Sequence, residues 1–253
     1  MLGKKVRVTV DRPLGTYHPK HKDLYYPINY GYVEGIIAPD GEEQDAYILG
    51  VDKPVSEFEG VVIAVIHRNN DVEEKWVVAP EGSIFTKEEI ERAVHFQEQY
   101  FDYEIIMCEV KIYKCAPDDQ LKFAVIVART NGKWVFCKHR GRETYESPGG
   151  RREAGESIME TARRELYEET GAIKYDIKPV CYYSVTIPGV FDGEETFGLL
   201  CYANITEFEK ELHCEIEKII ITDELPDNLT YPLMQPVLLA EIMKRKDYDG
   251  TGN

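Results

Sequence analysis

The chain has 253 residues, and its 46 acidic side chains outnumber the 30 basic ones to give a formal charge of −16 at pH 7. That balance disfavours a general binder of long nucleic acid or of an anionic membrane, because both demand basic patches against phosphate. With 43% apolar residues there is material for packed cores, and the length suits one large domain or two small ones. An acidic protein still handles phosphate substrates where a divalent cation bridges the two charges.

Residues 1–115 hold 13 basic and 21 acidic side chains and residues 116–253 hold 17 and 25, so neither half is an acidic tail. Six cysteines (Cys108, Cys115, Cys137, Cys181, Cys201 and Cys214) form no C-x-x-C pair and read as thiols in a reducing compartment. After Met1-Leu2-Gly3-Lys4-Lys5 the residues alternate instead of forming the apolar core of a signal peptide, and no run is long enough for a membrane span. The expected place is the cytoplasm.

In chain order, Val6–Val10 alternates, while 46–49, 61–66 and 76–78 are short apolar runs. Turn residues at 11–13, 39–41, 69–71 and 80–82 separate them, which predicts a small β-barrel. Thr86 with Glu89 resembles a capping box, so one helix is expected from there to about Tyr103. A strand over Ile105–Tyr113 follows, and from Leu121 the pattern alternates strand and helix: strands at 121–129 and 133–139, a helix at 158–170, strands near 179–186 and 197–205, and a closing helix near 233–245. The class is α+β, with domains expected at 1–104 and 105–253.

The segment 150–172 carries the strongest chemical signal. Ser157 with Glu160 starts a helix and Gly171 ends it. Between them Glu165, Glu168 and Glu169 share one face, at spacings where each like-charge pair costs about 0.2–0.5 kcal/mol. They also occupy the last turns, where the helix dipole repels anions. Such a cluster makes sense when a divalent cation neutralises it, and Mg²⁺, with its preference for hard oxygen ligands and substrate phosphates, fits best. Arg164 is placed to orient a glutamate, and the backbone at Gly149-Gly150 is free of side chains that would keep a metal away.

This stretch resembles the Nudix hydrolase box, G-x5-E-x7-REUxEExGU, from Gly150 to Gly171, with Ala172 in the last, bulky aliphatic place. The resemblance implies an α/β/α sandwich that cleaves a nucleoside diphosphate linked to another group, using Mg²⁺ with Mn²⁺ as a substitute. It implies Gly150, Glu165, Glu168 and Glu169 as metal ligands, with Glu165, Glu168 and Arg164 in catalysis and Glu156 in support. The flanks Phe136–Arg140, Ser147–Gly150, Glu195–Gly198 and Leu229–Pro236 are similar to a bacterial branch acting on nucleoside triphosphates, oxidised guanine forms included. Lys138 and Arg140, with His139 between them, are candidates for the outer phosphates, although a basic strand end is as often plain surface. The turn Asp192-Gly193-Glu194-Glu195, and Glu215 and Glu217, are weaker metal or base candidates.

In the first hundred residues Asp40-Gly41-Glu42-Glu43-Gln44-Asp45 reads by itself as a hairpin turn. Together with Tyr26-Pro27-Ile28-Asn29-Tyr30-Gly31-Tyr32 upstream and Asp71, Glu73 and Lys75 downstream, it resembles soluble inorganic pyrophosphatase of the β-barrel family. The resemblance implies Asp40, Glu42 and Asp45 as metal ligands, and Tyr30 and Lys75 on the phosphate side. Phe101 stands where that family has a lysine, Arg7 and Thr9 replace a lysine and a glutamate, and His18 replaces an arginine unless Arg12 serves. The metal half is present and the phosphate half thinned, so an impaired pyrophosphatase is expected.

The sequence therefore points to a Mg²⁺-dependent Nudix pyrophosphohydrolase that converts a nucleoside triphosphate to monophosphate and pyrophosphate, as a monomer or a homodimer. Alternatives are another nucleoside diphosphate derivative (a dinucleoside polyphosphate, a nucleotide sugar, an RNA 5′ end) or a nucleotide-sensing regulator that docks through its first domain.

Overall fold

A computed structural model describes residues 1–188, 193–212 and 215–245. The chain divides into two compact units, 1–108 and 109–253. Cys214 and Asp192 lie outside the described residues. Among the described residues no helix is long and apolar enough to cross a membrane.

The first unit is built from β1 (Lys5–Arg12), β2 (Asn29–Ile37), β3 (Glu43–Ile48), β4 (Glu57–Arg68), β5 (Glu74–Ala79), α1 (Lys87–Glu98) and β6 (Tyr103–Met107). Strands pair in the order β1-β2-β3-β5-β4, and β4 returns to β1 to close a five-stranded barrel. Closure removes the open edges that would otherwise invite other strands. Alternate residues fill the interior: Val6, Val8 and Val10 of β1 meet Val33, Ala46, Ile48, Val62, Val65, Trp76 and Val78. The capping box of Thr86 and Glu89 starts α1, which stops at Glu98, short of the Tyr103 expected from the unbroken sequence. Glu98 is fully buried and held by Arg68 and Tyr47; beyond it the chain turns so that Tyr103 pairs with Arg68 on β4.

The second unit comprises β7 (Glu109–Tyr113), β8 (Leu121–Thr130), β9 (Lys133–His139), β10 (Gly149–Arg151), α2 (Ile158–Thr170), β11 (Ala172–Thr186), β12 (Thr196–Phe208), β13 (Ile216–Thr222) and α3 (Gln235–Met243). Its mixed sheet runs β13-β9-β8-β12-β11-β7, with β10 also on β8. Strand 105–113, expected as one piece, is two: β6 pairs with β4 in the first unit and β7 with β11 in the second. Period-two alternation along β8 explains the sandwich. Ala124, Ile126 and Ala128 pack with Ile158, Ala162 and Leu166 of α2, whereas Val125 and Val127 face the cluster containing Leu238, Leu239 and Ile242 of α3. The expected α/β/α arrangement is present, and α2 begins at the Ser157 capping box and ends at Gly171 in the left-handed conformation (φ 69°).

Leu166 is fully buried at the centre of the α2 contact. Leu166→Ala should cost the second unit about 2–5 kcal/mol. Denaturant unfolding followed through Trp134, with Trp76→Phe to silence the other unit, checks this, and a loss below about 1 kcal/mol would contradict the packing.

Candidate active site

The last turns of α2 face β10 and the end of β9. Glu165 and Glu169 are one turn apart, and both are buried (8% exposed), so they sit beneath the surface without a basic residue in the helix's last turn. Gly150 gives Glu165 its room: a Cβ there would lie 2.2 Å from Glu165 Oε1, so any other residue would push that carboxylate from this position. The Gly149 amide donates to Glu169 Oε2 at 2.8 Å.

Arg164 braces the cluster. Its Nε donates to Glu156 Oε1 at 2.7 Å, Nη1 to Glu165 Oε1 at 2.7 Å and to Glu168 Oε2 at 3.1 Å, and Nη2 to the Arg151 carbonyl at 3.0 Å. That contact with Arg164 holds the Glu156 carboxyl down at about 2. Burial instead raises Glu165, and it pushes Glu169 up to about 8, reinforced by the neighbouring Glu165 and Glu146 and only partly offset by the Gly149 amide. Burial of this kind disfavours the charged form of a carboxylate and raises its proton affinity.

The environment of Glu169 contains groups that sequence reasoning did not bring together. Its Oε1 lies 2.8 Å from His139 Nε2, which is also 2.9 Å from Glu146 Oε1, and its Oε2 is 3.6 Å from Cys137 Sγ. Glu146 is buried and pushed up by burial against the pull of His139 and Arg142. Cys137 and His139 are two apart on β9 and so share a face, a spacing legible in sequence; Glu146 had no such signal. Lys138 points the other way, 3.2 Å from Glu217 and 3.3 Å from Glu143, and exposed Arg140 donates its amide to the Glu215 carbonyl. Neither is brought to the glutamate cluster. Glu195 accepts from Ser184 at 2.6 Å and Tyr113 at 2.9 Å, while Glu215 is exposed.

Residues 118–221 match the NUDIX domain family. YtkD of Bacillus subtilis (strain 168), provisionally named an 8-oxo-dGTP diphosphatase, is 34% identical over 115 residues, or 44% of this chain and 68% of YtkD. The chain belongs to the Nudix family. Its Nudix hydrolase homologues indicate a pyrophosphohydrolase, an enzyme acting on phosphoric anhydride bonds. The RNA pyrophosphohydrolase of Vibrio cholerae serotype O1 is 31% identical over 61 residues, covering 24% of this chain and 36% of its own length. Among solved structures, the Bacillus subtilis pyrophosphohydrolase BsRppH superposes with a TM-score of 0.45 at 26% identity, over 55% of this chain and 92% of that one. The inorganic pyrophosphatase of Ehrlichia chaffeensis, on the N-terminal region, gives 0.33 at 17% identity, over 41% and 85%.

In the barrel, a cleft of about 1200 Å³ is lined by Tyr30, Asp45, Asp71, Glu73 and Lys75 with basic residues of the 12–22 segment. Lys75, only 2% exposed, donates to Tyr30 Oη at 2.7 Å, Asp45 Oδ2 at 2.7 Å and Glu73 Oε1 at 2.8 Å. Burial pushes Asp45 up, but Lys75 outweighs it and the carboxyl ends below its ordinary value; Glu73 ends raised by burial. Arg68 stacks on Phe101 at 3.6 Å and pairs with Glu98 and Glu73 at 2.7 and 2.6 Å. Asp40 and Glu42 are exposed on the β2–β3 turn, with the Glu42 amide on Asp40 Oδ1 at 2.9 Å, and neither lines the cleft. The structure thus gathers Tyr30, Asp45, Glu73 and Lys75, and leaves Asp40 and Glu42 apart.

With its carboxyl raised to about 8, Glu169 would have to give up a proton near neutral pH to take a cation. A divalent cation held by Glu169 should therefore bind about tenfold more tightly per pH unit from 6 to 7, levelling off above 8, with Mg²⁺ as the ion to titrate. Calorimetric titration at several pH values checks this; a flat profile would contradict it. The sign for folding is opposite: the raised carboxyl destabilises the metal-free protein as pH climbs from its unfolded value through about 8.

Proposed function

We propose that the Nudix domain is a Mg²⁺-dependent pyrophosphohydrolase that cleaves a nucleoside triphosphate to monophosphate and pyrophosphate, and that oxidised guanine nucleotides are among its substrates. The observation that carries this reading is the pair of buried glutamates, Glu165 and Glu169, pressed against Gly149-Gly150 and braced by Arg164. The fit to Mg²⁺ rests on the donors: Glu165, Glu168 and Glu169 offer hard oxygens on one helix face, and the absent Cβ at Gly150 leaves the adjoining backbone accessible. Those three glutamates and the Gly150 carbonyl would hold the ion. When bound, it polarises a phosphoryl oxygen and lowers the proton affinity of attacking water.

The protein's own groups do the rest. Arg164 fixes the rotamers of Glu156, Glu165 and Glu168, so the ligand geometry exists before substrate arrives. Glu168, about 36% exposed at its side chain, is the member of the set most open to solvent and the candidate to take a proton from water. The choice of a nucleoside triphosphate is supported by the name and the coverage of YtkD. An RNA 5′ end is the second substrate, suggested by a relative matched over a shorter segment. A reducing cytoplasm suits the five free cysteines among the described residues.

We read the barrel as an impaired inorganic pyrophosphatase. Its support is Lys75, which places an ammonium between Asp45 and Glu73, so two acids that a divalent ion would use already share one cation. Asp40 and Glu42 remain outside the cleft, and Phe101 sits under Arg68.

Glu169→Gln keeps the side-chain volume and removes the ligand charge, so turnover of 8-oxo-dGTP and ordinary nucleoside triphosphates should fall by about 100-fold or more, the scale of losing one electrostatic contact to a transition state. Steady-state rates with Mg²⁺ measure this, and undiminished turnover sinks the assignment. Asp45→Asn should leave nucleotide cleavage unchanged within about twofold, because Asp45 belongs to the other unit and independent sites act additively; a parallel loss would refute the division of labour between the domains.

A further inference from the structure

Hard oxygen ligands are only part of what surrounds Glu169. Cys137 Sγ, a His139 ring nitrogen and a Glu169 oxygen all lie within 4.8 Å of one another, with Glu146 Oε1 2.9 Å from His139 Nε2. Zinc-class ions bind at about 2.3 Å to sulfur and 2.0–2.1 Å to imidazole or carboxylate, so the donors of one tetrahedral site lie a few ångströms apart, as these do. We propose that Cys137, His139 and Glu169, with Glu146 as the fourth donor, form a second cation site for a thiophilic divalent ion of the zinc class, overlapping the Mg²⁺ position so that its occupancy stops the reaction.

Three features argue for a built site. Cys137 and His139 sit on one face of β9, two residues apart, and are aimed at the same carboxylate from a rigid strand. The Cys137 backbone is clamped to Glu146 by reciprocal hydrogen bonds of 2.9 and 3.0 Å, which ties sulfur, imidazole and the second carboxylate into one frame. Gly149 and Arg142 already hold the two carboxylates from outside, supplying the outer hydrogen bonds that orient metal ligands. Sulfur and nitrogen are poor ligands for Mg²⁺ but good ones for Zn²⁺ or Co²⁺, so the two ions divide the same carboxylate by softness. On ligation the Cys137 thiol gives its proton to solvent and binds as thiolate, and His139 binds as the neutral ring. A sequestered Glu169 is then unavailable to Mg²⁺. Binding needs only the four donors; its inhibitory consequence rests on the reading of Glu169 as a Mg²⁺ ligand.

The test is titration of the full-length protein with Co²⁺, followed by absorbance. A thiolate-to-Co²⁺ charge-transfer band in the near ultraviolet, with intense visible bands of a four-coordinate ion, is expected for the wild type. Cys137→Ser should abolish the charge-transfer band, and His139→Gln should weaken Co²⁺ binding by about tenfold or more. A spectrum without the band, or a band that survives Cys137→Ser, overturns the site; circular dichroism of both variants separates ligand loss from unfolding, and Cys137→Ala serves if the serine variant does not fold. In the activity arm, micromolar Zn²⁺ should inhibit the wild type against millimolar Mg²⁺, while Cys137→Ser, compared with its own zinc-free rate, needs about tenfold more Zn²⁺ for the same fractional loss. Equal inhibition of both overturns the inhibitory role. A wild type without nucleotide turnover would defeat the proposed function while the Co²⁺ spectrum still decides the site.

Discussion

Two carboxylates, Glu165 and Glu169, lie buried in the final turns of a helix whose dipole opposes them, and the second unit is arranged around that unfavourable placement. Burying an ionised carboxylate without a partner costs far more than any single packing contact returns. The fold answers with a brace, Arg164, and with β10, where Gly150 leaves room beside Glu165 and the Gly149 amide donates to Glu169. That strand is fixed because β10 pairs with β8, and β8 is fixed because its alternate residues serve the α2 core on one face and the α3 cluster on the other. Moving α2 by one residue would rotate both glutamates off this line. The Ser157 and Gly171 caps set its phase.

The barrel meets a similar demand by other means. Its acids Asp45, Glu73 and Glu98 are each paired with at least one of two internal cations, Lys75 and Arg68, which are nearly inaccessible to water. A carboxylate with a permanent ammonium 2.7 Å away gains little from a divalent ion and would have to give up that bond to take one. The two units therefore differ in how their buried acids are compensated. In one the compensation is part of the chain; in the other, burial raises the proton affinity of Glu169 to about 8.

The helical part of this was legible in the sequence because capping boxes, a terminal glycine and an i, i+3, i+4 carboxylate cluster are local signals. Both α2 boundaries follow from Ser157 and Gly171 alone. The α/β/α layering was expected from the Nudix resemblance, and the alternation along β8 shows how it is achieved. What could not be read were contacts between residues distant in sequence. Nothing near Glu98 marks it as the end of α1; that depends on Arg68, thirty residues earlier. Residues 105–113 look like one strand because Cys108 is no breaker, and only the pairing partners divide them. Lys138 was grouped with Arg140 by adjacency, yet strand alternation sends it to Glu217, away from its neighbours Cys137 and His139. Glu146 lies in a loop with no motif of its own and meets Glu169 through His139.

The central claim is that buried glutamates on α2 direct cleavage of a phosphoric anhydride in a nucleoside triphosphate while the barrel leaves the product intact. Phosphorus NMR of the full-length protein with Mg²⁺ and 8-oxo-dGTP reads both halves of that claim at once. The account predicts a nucleoside monophosphate signal and a pyrophosphate signal that grow together, with pyrophosphate persisting. Diphosphate with orthophosphate as products, or an unchanged triphosphate spectrum, would contradict it.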